Sequence, residues 1–532
     1  MSTEAAGDGS GGPAQQIAAG YAVTGQALEL GSVVVDGEAD RAAQIRIPLA
    51  TINRHGLVAG ATGTGKTKTL QLIAEQLSAA GVAVLMADVK GDLSGLSRAG
   101  EANDKTAARA KDTGDTWTPT AFPVEFLSLG TSGVGVPVRA TISSFGPILL
   151  SKVLGLNATQ ESTLGLIFHW ADQRGLPLLD LKDLRTVITH LTSDEGKAEL
   201  KALGAVSPTT AGVILRALVN LEAEGADTFF GEPELRPDDL IRIDSQGRGI
   251  ISLLEFSGQS LRPVLFSTFL MWVLADLFTF LPEVGDLDKP KLVFFFDEAH
   301  LLFTDASKAF LEQVEQTVKL IRSKGVGVFF CTQLPTDLPN TVLSQLGARI
   351  QHALRAFTPD DQKALNKTVR TYPKTDVYDL ESALTSLGIG EAVVTVLSEK
   401  GAPTPVAWTR MRVPRSLMGA IGTEAVAAAA QASPLQAAYG QTVDRVSAHE
   451  MLSAKYGSAQ EPTQPAQPPR GQYDPLPWPD DIEVPPMPAP AEPRRPGVWE
   501  EILKNPTVKS AINTGVREIT RSIFGTGRRR RR

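Results

Sequence analysis

Gly56-Leu57-Val58-Ala59 is a short apolar run, and beyond a Gly/Thr-rich stretch the apolar positions recur at Leu70, Ile73, Ala74 and Leu77. The run predicts a buried strand, and the recurrence predicts one face of a helix over Thr67 to Ala80. Val82 to Ala87 is a second apolar strand, ending at Asp88. Strand, loop, helix and strand in this order open a parallel sheet with a crossover helix. From about Thr141 to Asp239 the period becomes helical, with candidates at Ile148 to Leu154, Gln160 to Gln173, Leu181 to Leu191 and Pro208 to Glu224.

Strand character returns at Gly249 to Phe256, at Lys291 to Phe296 and at Gly325 to Thr332, with a helix over Ala306 to Ser323 before the last of these. Glu391 to Leu397 and Val406 to Val413 read as a late hairpin, and Ala27 to Leu49 alternates as a few short strands would. About a third of the residues from Glu461 to Pro496 are proline, which predicts an extended linker with no packed core. After it, Val508, Ile512, Val516, Ile519 and Ile523 form one apolar stripe, and Arg528 to Arg532 follow.

Composition narrows the picture. The chain has 532 residues, a formal net charge of −7 and a single cysteine, Cys331. This length allows a large core without disulfide or metal staples, and one cysteine fits a reducing, cytoplasmic setting. The acidic balance argues against a broad basic face for nucleic acid, so any DNA contact is expected to be local. Met1 to Gly20 lacks the basic and apolar regions of a secretory signal. Val264 to Leu281 approaches the length of a membrane span, but Ser267, Thr268, Asp276 and Thr279 interrupt it, so a buried core helix is expected.

The chemistry begins between the first strand and helix. Gly60-Ala61-Thr62-Gly63-Thr64-Gly65-Lys66-Thr67 fills the GxxxxGK[ST] pattern, and Lys68 follows it. Glycines let the backbone turn tightly and aim its N–H groups at phosphate oxygens, while the helix beginning at Lys66 adds its positive end. Lys66 is expected to bridge the β- and γ-phosphates of ATP, and the Thr67 hydroxyl to ligate Mg²⁺.

Leu292 to Phe296 is apolar throughout and ends in Asp297-Glu298, as a strand buried on both faces ends at an active site. Asp297 suits the Mg²⁺ shell, through water, and Glu298 suits orienting or deprotonating an attacking water. Asp297-Glu298-Ala299-His300 also spells the four letters of a large helicase superfamily, but the later motifs of those enzymes are missing. In ATPases with a glutamate after the Mg²⁺ aspartate, the next strand inserts between the phosphate-loop strand and the acidic one. Gln333, at the end of Gly325 to Thr332, is then the candidate sensor of the γ-phosphate.

With these residues in place the chain resembles the HerA/FtsK superfamily of ring ATPases, in particular a bacterial HerA-like family, over roughly Leu28 to Leu452. The marks are Asn53-Arg54-His55-Gly56-Leu57, Asp88-Val89-Lys90-Gly91-Asp92, Asp297 to Leu302 and Gly325 to Pro335, with Asp444 to Glu450 as a weaker late one. The implied fold class is α/β: a RecA-like P-loop NTPase of the additional-strand, catalytic-glutamate kind. It has a mostly parallel sheet, a helical insertion and a disordered proline-rich C-terminal linker. The boundaries drawn are a disordered start at 1–20, a short β segment at 21–52 and core parts at 53–140 and 241–415 around an insertion at 141–240. A helical segment at 416–456, a linker at 457–497 and a basic amphipathic helix at 498–532 complete them.

The resemblance implies a homo-oligomeric ring, commonly a hexamer, that pulls a polymer through its pore. It also implies a basic residue before the sensor strand that reaches the neighbouring subunit's nucleotide; Arg322 is that candidate, with Arg349 and Arg355 in reserve. Two substrates stay open: DNA, which the terminal arginines could contact, and a protein partner recruited by the insertion and the linker. A small-molecule kinase is disfavoured, since such enzymes are usually short and rarely carry a glutamate directly after the Mg²⁺ aspartate. Trp117, Trp170, Trp272 and Trp408 are expected to pack rather than to stack bases.

Overall fold

The structure is a computed structural model, and it describes residues 12–88, 91–130, 133–202, 207–255, 263–285, 287–304 and 306–456. The linker at 457–497, the basic stretch at 498–532 and most of the expected disordered start lie outside the described residues. Pro13–Ala19, within that start, is a helix. It is ordered because Ala14 and Ile17 are buried in the same apolar cluster as Leu28 and Ile45.

Twelve strands form one sheet: β1 Ala27–Val35, β2 Glu38–Pro48, β3 Gly56–Ala59, β4 Ala83–Asp88, β5 Val124–Leu129, β6 Val136–Val138, β7 Ile251–Glu255, β8 Leu292–Phe296, β9 Val326–Thr332, β10 Ala348–Gln351, β11 Glu391–Thr395 and β12 Ala407–Met411. Their order across the sheet is β2-β1-β12-β11-β10-β3-β9-β8-β4-β7-β5-β6. From β10 to β6 every neighbouring pair is parallel. The other side, β2-β1-β12-β11, is antiparallel and joins through β11 to β10.

The stretch 21–52 was expected as short strands ahead of the main fold. It is instead a hairpin of 9- and 11-residue strands within the same sheet. Asp36 and Gly37, with φ of 51° and 82°, make its two-residue turn, the geometry whose twist matches that of paired strands. Strands β5 and β6, which the sequence did not reveal, extend the parallel side; β6 is only three residues long, too short for periodicity to mark.

Alternate residues of the central strands face opposite layers. Phe294, Phe296, Val328 and Phe330 enter one apolar cluster together with the helices at 142–223, 263–280 and 308–321. Val293, Phe295, Phe329 and Cys331 enter the other, with the helix that follows β3. The apolar helix Pro263–Phe280 is a core helix, with Phe269, Leu270, Met271, Trp272 and Leu274 all buried. Among the described residues no helix is long and apolar enough to cross a membrane.

The helices expected between 141 and 239 are present at Ile142–Val153, Ala158–Gln173, Leu181–Thr192 and Pro208–Ala223. The first is two pieces: a short turn capped by Thr141 precedes a break at Gly146, whose φ of 75° is not helical, and the expected helix follows from Pro147. An aromatic group of Phe145, Phe229, Phe230, Phe269 and Trp272 fastens this segment to the core helix. The late mark at Asp444 to Glu450 serves packing: the Ser447 hydroxyl and the His449 N–H, the latter at 2.8 Å, both donate to Asp183 of the segment.

Candidate functional site

Strand β3 delivers the chain into the loop 60–65, and the helix Lys66–Ala79 leaves it. Gly60, Gly63 and Gly65 have φ of 150°, 81° and 114°, conformations that an L side chain resists. Gly60 also has no room, since a Cβ there would lie 2.6 Å from His352 Cβ, while one on Gly65 would lie 3.1 Å from Gly390 N, a tight contact that a small shift would relieve. The loop is pinned by Ala61 N donating to Ala353 O at 2.8 Å and by Gly390 N donating to Thr64 O at 3.0 Å. Thr62 and Gly63 are exposed and Thr64 is buried, so the tip faces solvent. Lys66 Nζ donates to Gly60 O at 2.6 Å and Ala61 O at 3.1 Å, lying over the loop. Thr67, half-buried, stands in the first helical turn.

The acidic pair is two strands away. Phe296 of β8 stands opposite Phe330 of β9, while Val58 and Ala59 of β3 stand opposite Cys331 and Thr332. The loop and Asp297 therefore leave the same end of the sheet on either side of β9, about 10 Å apart at the usual strand spacing. Cys331 stands on the strand between them, paired with Val58 and buried in the apolar cluster. Burial first, then Asp297, push its thiol pKa well up, and Lys66 and Glu298 are close enough to act on it as well.

Glu298 adopts a φ of 48°, a left-handed conformation that costs a non-glycine residue about 1 kcal/mol. Its N–H donates to Asp297 Oδ1 at 3.0 Å, and Ala299 N donates to Cys331 O at 2.9 Å. These bonds fix the turn, and His300 Nδ1 lies 3.4 Å from Glu298 Oε2. The next residues touch the helical segment: Lys152 Nζ donates to Thr304 O, and Ser307 Oγ donates to Glu161 Oε2 at 2.7 Å.

The remaining predicted residues divide. Gln333 is exposed at the end of β9, on the site's side of the sheet. Lys68 Nζ donates to Gln71 Oε1 at 3.3 Å, and burial lowers its pKa against the pull of Asp92 and Asp88. Arg322 lies at the opposite end of β9, close enough to His55 to bear on its charge, and so about 20 Å from its own loop at 3.3 Å per strand residue. Arg349 donates to Thr371 O at 3.3 Å and Leu343 O at 3.4 Å. Arg355 does approach the loop, with Nη2 donating to Thr62 O at 3.4 Å.

Two supporting histidines emerge. His352 is fully buried beneath the loop, with Nδ1 2.8 Å from Glu391 O and Nε2 2.9 Å from Thr69 Oγ1. A carbonyl only accepts, so Nδ1 carries the proton and Nε2 accepts from Thr69; burial holds the pKa down at about 4. His55 has the other tautomer: Val328 N–H donates to Nδ1 at 3.0 Å and Nε2 faces Val318 O at 2.8 Å. Burial takes its pKa to about 4 as well. His55 belonged to a family mark, whereas no local pattern distinguishes His352.

A phosphate-loop strand and an acidic strand separated by one inserted strand, with a glutamate after the aspartate, define a RecA-like P-loop NTPase fold. The profile of the helicase HerA-like C-terminal family matches residues 34–532, and the chain belongs to that family. No curated protein matches the sequence. Among solved structures it is similar to the plasmid coupling protein TrwB in complex with ADP and Mg²⁺, at 16% identity and a TM-score of 0.49 over 75% of this chain and 92% of that one. An unbound form of the bacterial conjugative coupling protein TrwB gives 14% and 0.49 over 76% and 93%. VirB4 of Thermoanaerobacter pseudethanolicus gives 15% and 0.45 over 73% and 97%.

Proposed function

We propose that the protein is a Mg²⁺-dependent, ATP-hydrolysing motor of the HerA-like family that assembles as a ring and translocates DNA. One observation carries the reading: Ala59 of β3 pairs with Thr332 of β9 and Phe296 of β8 pairs with Phe330 of β9, so the phosphate loop and Asp297-Glu298 leave the same end of the sheet on either side of one strand. The loop amides, with glycine at each place where a Cβ or the backbone angle forbids another residue, suit a triphosphate. Thr67 and Asp297 would hold Mg²⁺, which neutralises charge on the β- and γ-phosphates.

Lys66 binds the same phosphates. Glu298, fixed in its turn by two backbone bonds, orients the attacking water and takes its proton, and Gln333 contacts the γ-phosphate. Arg322 acts on the nucleotide of a neighbouring subunit, a role that requires a second copy, commonly in a hexamer. The net charge of −7 favours the alternative of a protein substrate, because a DNA motor of that charge must confine its basic contacts.

The deciding measurement is the ATPase rate with and without single-stranded and duplex DNA at two salt concentrations, together with the mass in solution. Stimulation that weakens with salt supports a DNA motor. A rate indifferent to every DNA form, with a protein partner co-purifying, supports the alternative. A monomer with no hydrolysis above the Lys66→Ala background would sink both.

A further inference from the structure

The turn that carries Glu298 runs directly into a four-residue helix, His300–Phe303. Leu301 N donates to Glu298 O at 3.0 Å, which ties the helix to the turn. The helix also sets His300 against the carboxylate, with Nδ1 3.4 Å from Glu298 Oε2. At its far end Thr304 donates twice to His300 O, from N at 3.0 Å and from Oγ1 at 2.9 Å. Thr304 O in turn accepts from Lys152 Nζ. An unbroken chain of contacts therefore runs from Lys152 through Thr304 and His300 to Glu298.

Lys152 belongs to the helical segment, near the end of Ile142–Val153. It is only 7% exposed, and its Nζ lies 5.8 Å from the centre of the Phe310 ring. Burying an ammonium strips it of hydration, and an apolar side chain of similar volume often fills such a place with no loss of stability. Packing alone therefore does not call for a lysine here. Holding the carbonyl at the end of the short helix does, since a cation is favoured there. A second tie lies three residues on. Ser307 Oγ accepts from Phe310 N at 3.2 Å and donates to Glu161 Oε2 at 2.7 Å, and Glu161 stands in the first turn of Ala158–Gln173. Thr304 and Ser307 are thus both held by the helical segment, each by a different helix.

We infer that Lys152, assisted by Glu161, is a positioning residue for Glu298, so that the helical segment sets the rate of hydrolysis although none of the residues proposed to touch the nucleotide lies in it. The inference rests on the ATPase reading above and adds what the segment does to the reaction. Coupling across such a distance requires contiguous contacts whose two ends respond together. The contacts are those from Lys152 to Glu298, and the joint response is what the experiment measures.

The test uses the full chain: steady-state ATPase with Mg²⁺, equilibrium ATP binding and thermal unfolding. Lys152→Met, of similar length and volume, is expected to lower kcat about tenfold or more, with KM and ATP affinity within about twofold of the parent. Lys152→Arg, which keeps a donor, is expected to recover most of the rate. Glu161→Ala is expected to lower kcat about threefold. In a Glu298→Gln background, single-turnover hydrolysis is expected to lose nothing further from Lys152→Met, because residues that act as a unit are not additive. Parental kcat in a folded Lys152→Met, or a loss that persists undiminished in the Glu298→Gln background, overturns the inference and leaves the ATPase reading standing. If Lys152→Met does not fold, Glu161→Ala decides: parental kcat refutes the inference, and a loss that vanishes in the Glu298→Gln background supports it. A parent protein with no hydrolysis above the Lys66→Ala background overturns the ATPase reading itself, and this inference with it.

Discussion

Asp337 holds Thr332: its Oδ2 accepts from Thr332 Oγ1 at 2.6 Å and also from Leu334 N at 2.9 Å. The two bonds grip the residues on either side of Gln333, so the direction in which Gln333 leaves β9 is set by a carboxylate four residues later. Asp337→Ala is expected to lower kcat about tenfold, or 1.4 kcal/mol of barrier, with little change in KM. Asp337→Asn, which keeps an acceptor, recovers most of it. Equal kcat values for parent and Asp337→Ala, in steady-state ATPase assays that show Gln333→Ala to be impaired, would rule out this positioning role.

The proposed mechanism gives Lys66 and Glu298 different relations to the nucleotide, and their variants should separate. Lys66→Ala is expected to lose nucleotide binding or hydrolysis. Glu298→Gln keeps the shape of the turn and should bind ATP normally while turning over about 10²-fold more slowly or worse. Equilibrium binding beside single-turnover hydrolysis distinguishes them; parental turnover by Glu298→Gln would remove that residue from the chemistry.

The loop glycines differ in what surrounds them. Nothing lies within 4 Å of a Cβ added at Gly63, whereas at Gly60 it meets His352 Cβ at 2.6 Å. Gly63→Ala is expected to cost only backbone strain, about 1 kcal/mol. Gly60→Ala adds an overpacking cost of about 1–3 kcal/mol and displaces the loop. Thermal unfolding and ATP affinity should both fall further for Gly60→Ala; the reverse order would mean that His352 does not form the floor.

Buried histidines give the fold an acid limit. Burial lowers His55 and His352 from the usual 6.5 to about 4, so between these values the unfolded chain binds more protons. Stability therefore falls as pH drops through that window, by up to about 3 kcal/mol for each histidine. Asp88 works in the opposite sense: burial raises it from 3.8 to about 6, so its contribution declines as pH rises through that interval. Denaturant unfolding from pH 7 to 4 should show a net loss on acidification, reduced in His352→Gln. A slope unchanged by that substitution would contradict the buried neutral state of His352.

Much of the site was legible locally. Glycine at 60, 63 and 65, a lysine and threonine after them, and two carboxylates closing an apolar strand announce their chemistry through short-range rules of turn geometry and charge. The strands at 56–59 and 292–296 and the helices at 158–173 and 181–192 were equally readable from period alone. The short strand β6, and the entry of residues 27–48 into the main sheet, were not, because pairing partners lie far away in the chain.

The sequence by itself determined the glycine-rich pattern and the acidic pair proposed to bind phosphate and activate water, and at the ends of which elements they stand, since backbone angles and hydrophobic period act over a few residues. Only the tertiary structure decided that β9 lies between β3 and β8, that His352 supports the phosphate loop, and that Arg322 lies at the far end of β9. Each of these depends on strand order and on contacts between residues far apart in sequence. Packing the whole core settles such contacts, and no local pattern encodes them.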